Sequence, residues 1–353
     1  MNIVVQPPVS LQGNLRLPGD KSISHRSAMI GALAEGTTTI DGFLEGADCL
    51  NTLQCLRSLG VLISGPDASR VTVTGQGLFS LREPETVLDA GNSGTTMRLL
   101  LGLLAGQDFY SVLSGDASLR RRPMGRVTGP LKVMGAKVWG RQGGELAPVS
   151  ICGGNLRPVN YTLPVASAQV KSALLLAGLF APGETIIIEP CNLRDHTERL
   201  LKAAGAAIKV EGRVIRLEGC KTLKPLTVNV PGDISAAAFF LVAGSIHPKA
   251  AIKLENINLN HTRTGIIDIL KAMGAQMKVA PREAVEIEPA GDIMVSSGKL
   301  QGMKIGGEII PRLIDEIPVL AVAAAVAKGD TIIRNAAELK FKESDRIAMI
   351  AGE

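Results

Sequence analysis

The sequence predicts an α/β protein built from repeated units and arranged in two domains, and three features lead to that reading. A helix-to-strand signature recurs at a spacing near 70 residues, a second signature alternates with it, and one loop is echoed at three times that period. The first signature is L-(K/R)-x-x-G-(A/V) followed by strand-like residues. It occurs as LRSLGVLI from Leu56, LKVMGAKV from Leu131, LKAAGAAI from Leu201 and LKAMGAQM from Leu270. Its glycines, Gly60, Gly135, Gly205 and Gly274, are 75, 70 and 69 residues apart. Each copy has the form of a helix end, a glycine suited to the left-handed C-terminal conformation, and a strand.

The second signature is an apolar helix end, a short polar turn and a β-branched strand. Its copies are LAEGTTTI from Leu33, LAGQDFYSVL from Leu104, FAPGETIII from Phe180, IHPKAAIKL from Ile246 and VAKGDTIIR from Val326, and the fourth lacks the glycine. One unit therefore holds two helices, each followed by strand material, and five units begin while four are completed. LPGDKSIS at Leu17 returns as VPGDISAA at Val230, an offset of 213, or three times 71. The two Pro-Gly-Asp segments are then the expected crossovers between domains. Residues 19–231 are predicted to form one domain of three units. Residues 1–18 with 232–353 form a second, discontinuous domain that is one unit short.

In every unit a polar loop opens the first helix: GDKSISHRSAM from Gly19, GNSGTTMRLLL from Gly91, VASAQVKSALL from Val165, GDISAAAFFLV from Gly232 and RLIDEIPVLAV from Arg312. Small and hydroxyl residues at a helix start leave backbone N–H groups free to meet a ligand, and the helix dipole adds partial positive charge there. Lys21, Arg26, Arg98 and Lys171 lie in or just beyond these starts, where a cation opposes the dipole. Acidic residues are the choice that packing favours at such positions, so an anion is expected to face the basic ones. GNSGTTMR matches neither the phosphate-loop nor the dinucleotide glycine pattern. For that loop alone, a glycine turn capped by Ser93 or Thr95 is an equal alternative.

Composition narrows the partners. Aromatics make up 3% of the chain, too few for base-stacking platforms, so nucleic-acid binding is not expected. The net charge of +5 suits small anionic substrates. The five cysteines are odd in number and include no C-x-x-C pair, which argues for a reducing compartment and against a disulfide framework or zinc ribbon. The opening MNIVVQPPVSLQG lacks the apolar core of a signal peptide, and the longest apolar runs fall well short of the ~20 residues of a membrane span. A soluble cytoplasmic protein is the expectation. The four histidines are too scattered to suggest a metal site, and His25 reads as a local hydrogen-bonding residue.

LPGDKSISHR from Leu17, GNSGTTMR from Gly91, RRPMGRV from Arg121, ASAQVKSALLLAGL from Ala166, LIDEIPVLAVAAA from Leu313 and FKESDR from Phe341 resemble the EPSP synthases in order and spacing, over essentially the whole chain. The resemblance implies the enolpyruvyl transferase fold, two domains of three βαβαββ units each. It also implies transfer of the enolpyruvyl group of phosphoenolpyruvate to the 5-hydroxyl of shikimate 3-phosphate, with no metal or organic cofactor. By the same resemblance Lys21 touches both substrates and takes part in catalysis. Ser22, Arg26, Ser167, Ala168, Arg194 and Lys342 contact shikimate 3-phosphate, with Ala168 acting through its backbone because many members have a second serine there. Gly94, Arg122 and Arg346 serve phosphoenolpyruvate, and Gln169 lies between the ligands. Asp315 is the acid/base group on the 5-hydroxyl and Glu343 the proton donor to the enol carbon. Taken singly, Asp315 and Glu316 also fit plain first-turn carboxylates, and Lys342 to Arg346 an exposed charged turn. The joint match selects the functional reading.

Members of the family run about one unit further, into a segment bearing another arginine for phosphoenolpyruvate and a catalytic lysine. The expectation is thus a chain lacking its C-terminal unit, ending inside a helix that starts near Glu343, monomeric when intact, and able to associate with the missing segment. Glyphosate competes for the phosphoenolpyruvate site in this family, and Gly94 leaves open the space that an alanine fills in tolerant members. Two alternatives compete with this reading. One is a substrate-binding fragment without catalysis. The other is UDP-N-acetylglucosamine enolpyruvyl transferase, which usually has a reactive cysteine in the loop that here reads GDASLRRRP from Gly115.

Overall fold

The computed structural model describes Val4, Gln6 and residues 8–283 and 287–352. Residues 1–3, 5 and 7, on which the reading of the opening segment partly rests, and Glu353 lie outside the described residues. The chain divides into two compact parts, residues 19–230 and residues 1–18 with 231–353.

Strand β1 (Leu11–Arg16) is followed by α1 (Lys21–Leu33), β2 (Glu35–Asp41), α2 (Ala47–Ser58), β3 (Leu62–Asp67) and β4 (Arg70–Gln76). The pattern returns in β5 (Leu88–Asp89), α3 (Gly94–Leu104), β6 (Tyr110–Ser114), α4 (Gly125–Met134), β7 (Lys137–Arg141) and β8 (Leu146–Cys152). A third copy is β9 (Asn160–Thr162), α5 (Ala168–Gly178), β10 (Glu184–Ile188), α6 (His196–Ala203), β11 (Ile208–Glu211) and β12 (Val214–Glu218). After β13 (Thr227–Asn229) come α7 (Ile234–Ile246), β14 (Ala250–Asn258), α8 (Gly265–Ala272), β15 (Gln276–Pro281) and β16 (Ala290–Ser296). A fifth copy begins with β17 (Lys304–Ile305), a single turn α9 (Ile310–Leu313), α10 (Ile317–Val326), β18 (Ile332–Ile333) and α11 (Arg346–Gly352).

Among the described residues four sheets share one topology, with strand orders β13-β2-β4-β3, β5-β6-β8-β7, β9-β10-β12-β11 and β1-β14-β16-β15. In each, the first pair is parallel and the others antiparallel. This is the predicted βαβαββ repeat, with one exchange. Strand β1 completes the sheet of the fourth repeat, and β13 completes that of the first. The two Pro-Gly-Asp segments occupy equivalent places for that reason. Each leaves an exchanged strand, and its aspartate, Asp20 or Asp233, caps the following helix.

Local chemistry accounts for the helix limits. Gly60, Gly135, Gly205 and Gly274 have φ of 84°, 112°, 89° and 104°, so each helix-end signature closes in the left-handed conformation that only glycine takes at no steric cost. At the starts, Asp20, Ser93 and Ser167 accept from the backbone N–H three residues on, and Asp233 from Ser235 N. Such caps are worth about 1 kcal/mol each. The helix expected near Glu343 begins three residues later, at Arg346, because Asp345 accepts from Ile347 N and Ala348 N and residues 337–341 form a 3-10 turn. No helix among the described residues is long and apolar enough to cross a membrane.

Candidate active site

In residues 19–230 the predicted contacts gather at the starts of α1, α3, α5 and α6. Lys21, the first residue of α1, reaches Asp48 Oδ2 at 3.2 Å with its side chain 46% exposed. The carbonyl of Asp48 accepts from Thr96 in the first turn of α3, so one residue ties these two helix starts together. Arg26, one turn into α1, is buried. Its Nε donates to Thr197 Oγ1 at 2.7 Å, its Nη2 to Ser172 Oγ at 2.8 Å and its Nη1 to the Ser22 carbonyl at 3.0 Å, which joins α1 to α5 and α6. His25 beside it hydrogen-bonds Thr52 at 2.7 Å. Burial first, then the charges of Lys21 and Arg26, push it down to about 3, so it is neutral and adds no cation.

Gly94 opens α3 behind the Ser93 cap. Arg98 donates to Gln169 Oε1 at 2.7 Å and to the Pro123 carbonyl at 3.1 Å, while Gln169 Nε2 donates to Thr95 Oγ1 at 2.8 Å. Arg122 donates to Asn92 Oδ1 at 2.5 Å, and Asn92 in turn donates to Asp116 Oδ2 at 2.5 Å. That second bond, with the Leu119 N–H, holds the Asp116 carboxyl below its usual range. A Cβ on Gly94 would lie 2.6 Å from Arg98 Nη1 and 3.3 Å from Arg122 Nη1. The structure thus brings Gly94, Arg122 and Gln169 together and adds Arg98 and Asn92 to them. Ser167 caps α5, and the Ala168 carbonyl accepts from Ser172 Oγ at 2.7 Å. Arg194, half-buried, lies in the loop between β10 and α6.

One expectation fails. Lys171 does not face an anion from outside, since it is buried between Glu189 and Glu198, 2.5 Å from each. The sequence concealed this because both carboxylates come from other elements, 18 and 27 positions away.

In the part built from residues 1–18 with 231–353, the remaining predicted residues meet one another. Asp315, between α9 and α10, receives Lys342 Nζ at 2.9 Å and Arg346 Nη1 at 3.5 Å, and the same guanidinium reaches Glu343 at 2.7 Å. Asp315 and Glu343 are 23% and 48% exposed, so both carboxylates are reachable. Neighbouring Glu316 behaves differently. It is buried, accepts from Ser235 Oγ at 2.5 Å and pairs with Arg263 Nη2 at 3.3 Å, which makes it the structural carboxylate of the two. Sequence reasoning placed Arg98 among the cations expected to face an anion but assigned it no particular substrate, and it missed Asn92 and Arg263. Arg98 and Asn92 lie inside GNSGTTMR, which was the available signal, whereas nothing around Arg263 marked it. No group of three or more metal-ligating side chains occurs among the described residues.

Comparison with known proteins shows the family. The family model for EPSP synthase (3-phosphoshikimate 1-carboxyvinyltransferase) matches residues 5–353. The 3-phosphoshikimate 1-carboxyvinyltransferase of Pelotomaculum thermopropionicum is 58% identical over 353 residues, all of this chain and 82% of that protein. The enzyme of the same name from Geobacillus kaustophilus is 56% identical over 344 residues, 98% of this chain and 80% of its own length. Among solved structures, EPSP synthase from Acinetobacter baumannii superposes with a TM-score of 0.87 at 50% identity, covering 97% of this chain and 78% of that one. The enolpyruvyl transferase NikO from Streptomyces tendae shares the fold, with a TM-score of 0.74 at 18% identity over 92% of this chain and 75% of that one.

Proposed function

Because the chain belongs to the EPSP synthase family, it is a shikimate-pathway enzyme that transfers the enolpyruvyl group of phosphoenolpyruvate to shikimate 3-phosphate, and we propose the following roles for its residues. Ser22, Arg26, Ser167, Ala168 and Arg194, at the helix starts of residues 19–230, are assigned to shikimate 3-phosphate, as are Lys342 and Asp315. Arg122, with Gly94, and Arg346 are the residues assigned to phosphoenolpyruvate. Lys21 and Gln169 touch both ligands.

Two multiply charged anions repel, so a site that joins them must supply several cations before they reach reacting distance. Arginine suits phosphate and carboxylate because its planar fork binds two oxygens at once. In the addition step Asp315 takes the proton of the 5-hydroxyl while its oxygen attacks C2 of phosphoenolpyruvate, and Glu343 protonates the C3 methylene. In the elimination step the C2–O bond to phosphate breaks and the methyl group returns a proton to Glu343, which restores the double bond. Lys21 offsets charge on the departing phosphate. Acid–base steps of this kind contribute ~10²–10⁴ in rate each. Positioning and charge stabilisation supply the rest.

The observation that carries this reading is the Asp315 cluster. Two cations hold a carboxylate in place, and a second carboxylate sits on one of the same cations. The unbridged state of all five cysteines supports a cytoplasmic location. A monomer is the state we assign. The exposed apolar side chains Phe239, Val322 and Val326 on α7 and α10 support docking of a further apolar helix there, and the segment by which the longer relatives exceed this chain is the occupant we place on them.

A phosphate-release assay tests the function. Phosphate should appear only when shikimate 3-phosphate and phosphoenolpyruvate are both present, with an enolpyruvyl ether at O5 found by mass spectrometry. Calorimetric binding of shikimate 3-phosphate with no phosphate release would contradict the catalytic roles. Turnover with a UDP-sugar acceptor instead would contradict the substrate assignment.

A further inference from the structure

The ammonium of Lys171 and the carboxylates of Glu189 and Glu198 are 1%, 5% and 5% exposed, with both ion pairs at 2.5 Å. Taking three charges out of water is costly, and an apolar trio of similar volume often serves a core as well or better. Cohesion alone therefore does not explain the choice. What distinguishes these residues is where each is attached. Lys171 stands on the helix that Ser167, Ala168 and Gln169 begin. Glu189 follows β10 and accepts from the backbone N–H of Leu193, next to Arg194. Glu198 lies in the first turn of α6 beside Thr197, whose hydroxyl takes Arg26 Nε. Ser172, adjacent to Lys171, bonds both Arg26 and Thr197.

One ammonium thus joins the start of α5 and the loop bearing Arg194, two segments that carry shikimate 3-phosphate contacts, to α6, where Thr197 fastens Arg26 to the same frame. We propose that Lys171, with Glu189 and Glu198, is a positioning device that sets the mutual geometry of Ser167, Gln169, Arg194 and Arg26 without touching either substrate. The inference rests on the reading of those four residues given above. Contact ion pairs suit the task because they fix distance and direction more sharply than apolar packing does. Burial works against the Lys171 ammonium, yet the two carboxylates hold it above the ordinary lysine value.

The test is the triple variant Lys171→Met, Glu189→Gln, Glu198→Gln in the full chain, which keeps the volumes and leaves no lone buried ion. Thermal unfolding should stay within about 4 °C of the unchanged protein. Calorimetry should show the Kd for shikimate 3-phosphate raised about tenfold, the scale on which small misplacements act. Arg194→Ala serves as the control for the underlying contacts. If it weakens binding while the folded triple variant binds normally, the positioning role is overturned and the contact assignments stand. If neither change alters the Kd, those assignments fall and the positioning role with them. Should the triple variant not fold, Glu198→Gln alone removes one ion pair while keeping its hydrogen-bonding atoms. About a threefold rise in Kd is expected there, and an unchanged Kd overturns the proposal.

Discussion

In residues 19–230 the first helices of the repeats are sheathed by their neighbours. Leu99, Leu100, Leu101, Leu103 and Leu104 of α3 are at most 1% exposed, and Gly102 lets α3 approach the Ala173 backbone of α5. In the other part α7 and α10 are as apolar in sequence, ISAAAFFLVAGSI and IPVLAVAAAV, yet Phe239, Val322 and Val326 are 63%, 51% and 60% exposed. The polar ends differ as well. Arg26, Arg98 and Arg122 donate to hydroxyl, amide and carbonyl oxygens, and Lys21 pairs with Asp48. Lys342 and Arg346 instead lock onto Asp315 and Glu343. Under the proposed roles, one repeat carries anion-binding groups at some helix starts and acid–base groups at others, because the sheet and helix ends fix the backbone and leave the first-turn side chains free to vary.

The packing contrast yields the largest expected effect. Leu100→Ala in α3 should cost about 2–5 kcal/mol of stability, read from denaturant unfolding. Val322→Ser in α10 should stay within about 0.5 kcal/mol. Equal losses at both positions would mean that the α10 face is covered in solution. On the polar side, Arg122→Ala should raise the KM for phosphoenolpyruvate roughly 10- to 100-fold, the value of a charged hydrogen bond of about 1.5–3 kcal/mol. Its effect on shikimate 3-phosphate binding should be much smaller. Among the substrate-site changes, the smaller effect is expected for Gly94→Ala. The new methyl group meets the movable end of Arg98 rather than backbone, so folding should be unchanged. The KM for phosphoenolpyruvate should rise about three- to tenfold, under about 1.4 kcal/mol, and competition by glyphosate should weaken alongside it.

The repeat was legible because its marks are local. A left-handed glycine at a helix end and a capped polar start depend on a few consecutive residues, so the period and a unit of two helices, each followed by strand material, could be read, while the βαβαββ order was what the resemblance implied. The exchange of β1 and β13 was harder. Strands LQGNLR and TVN carry no pattern that names a partner, and pairing across more than two hundred residues is decided by how whole sheets pack. The motifs singled out the residues proposed for the site, and among them Asp315, Lys342, Glu343 and Arg346 came together as a group. Lys171 was misread for the same reason in reverse. Its position in a helix start suggested a cation open to a ligand, whereas its burial depends on two glutamates brought in by other elements.

The division of work between the two parts is tested most directly by titrating shikimate 3-phosphate into the double variant Asp315→Asn, Glu343→Gln while following phosphate release. The affinity should remain within about threefold of the unchanged chain, because the Asp315→Asn amide can still hydrogen-bond the 5-hydroxyl, while turnover drops by at least about 10². Binding that disappears together with turnover would contradict the assignment of these carboxylates to proton transfer.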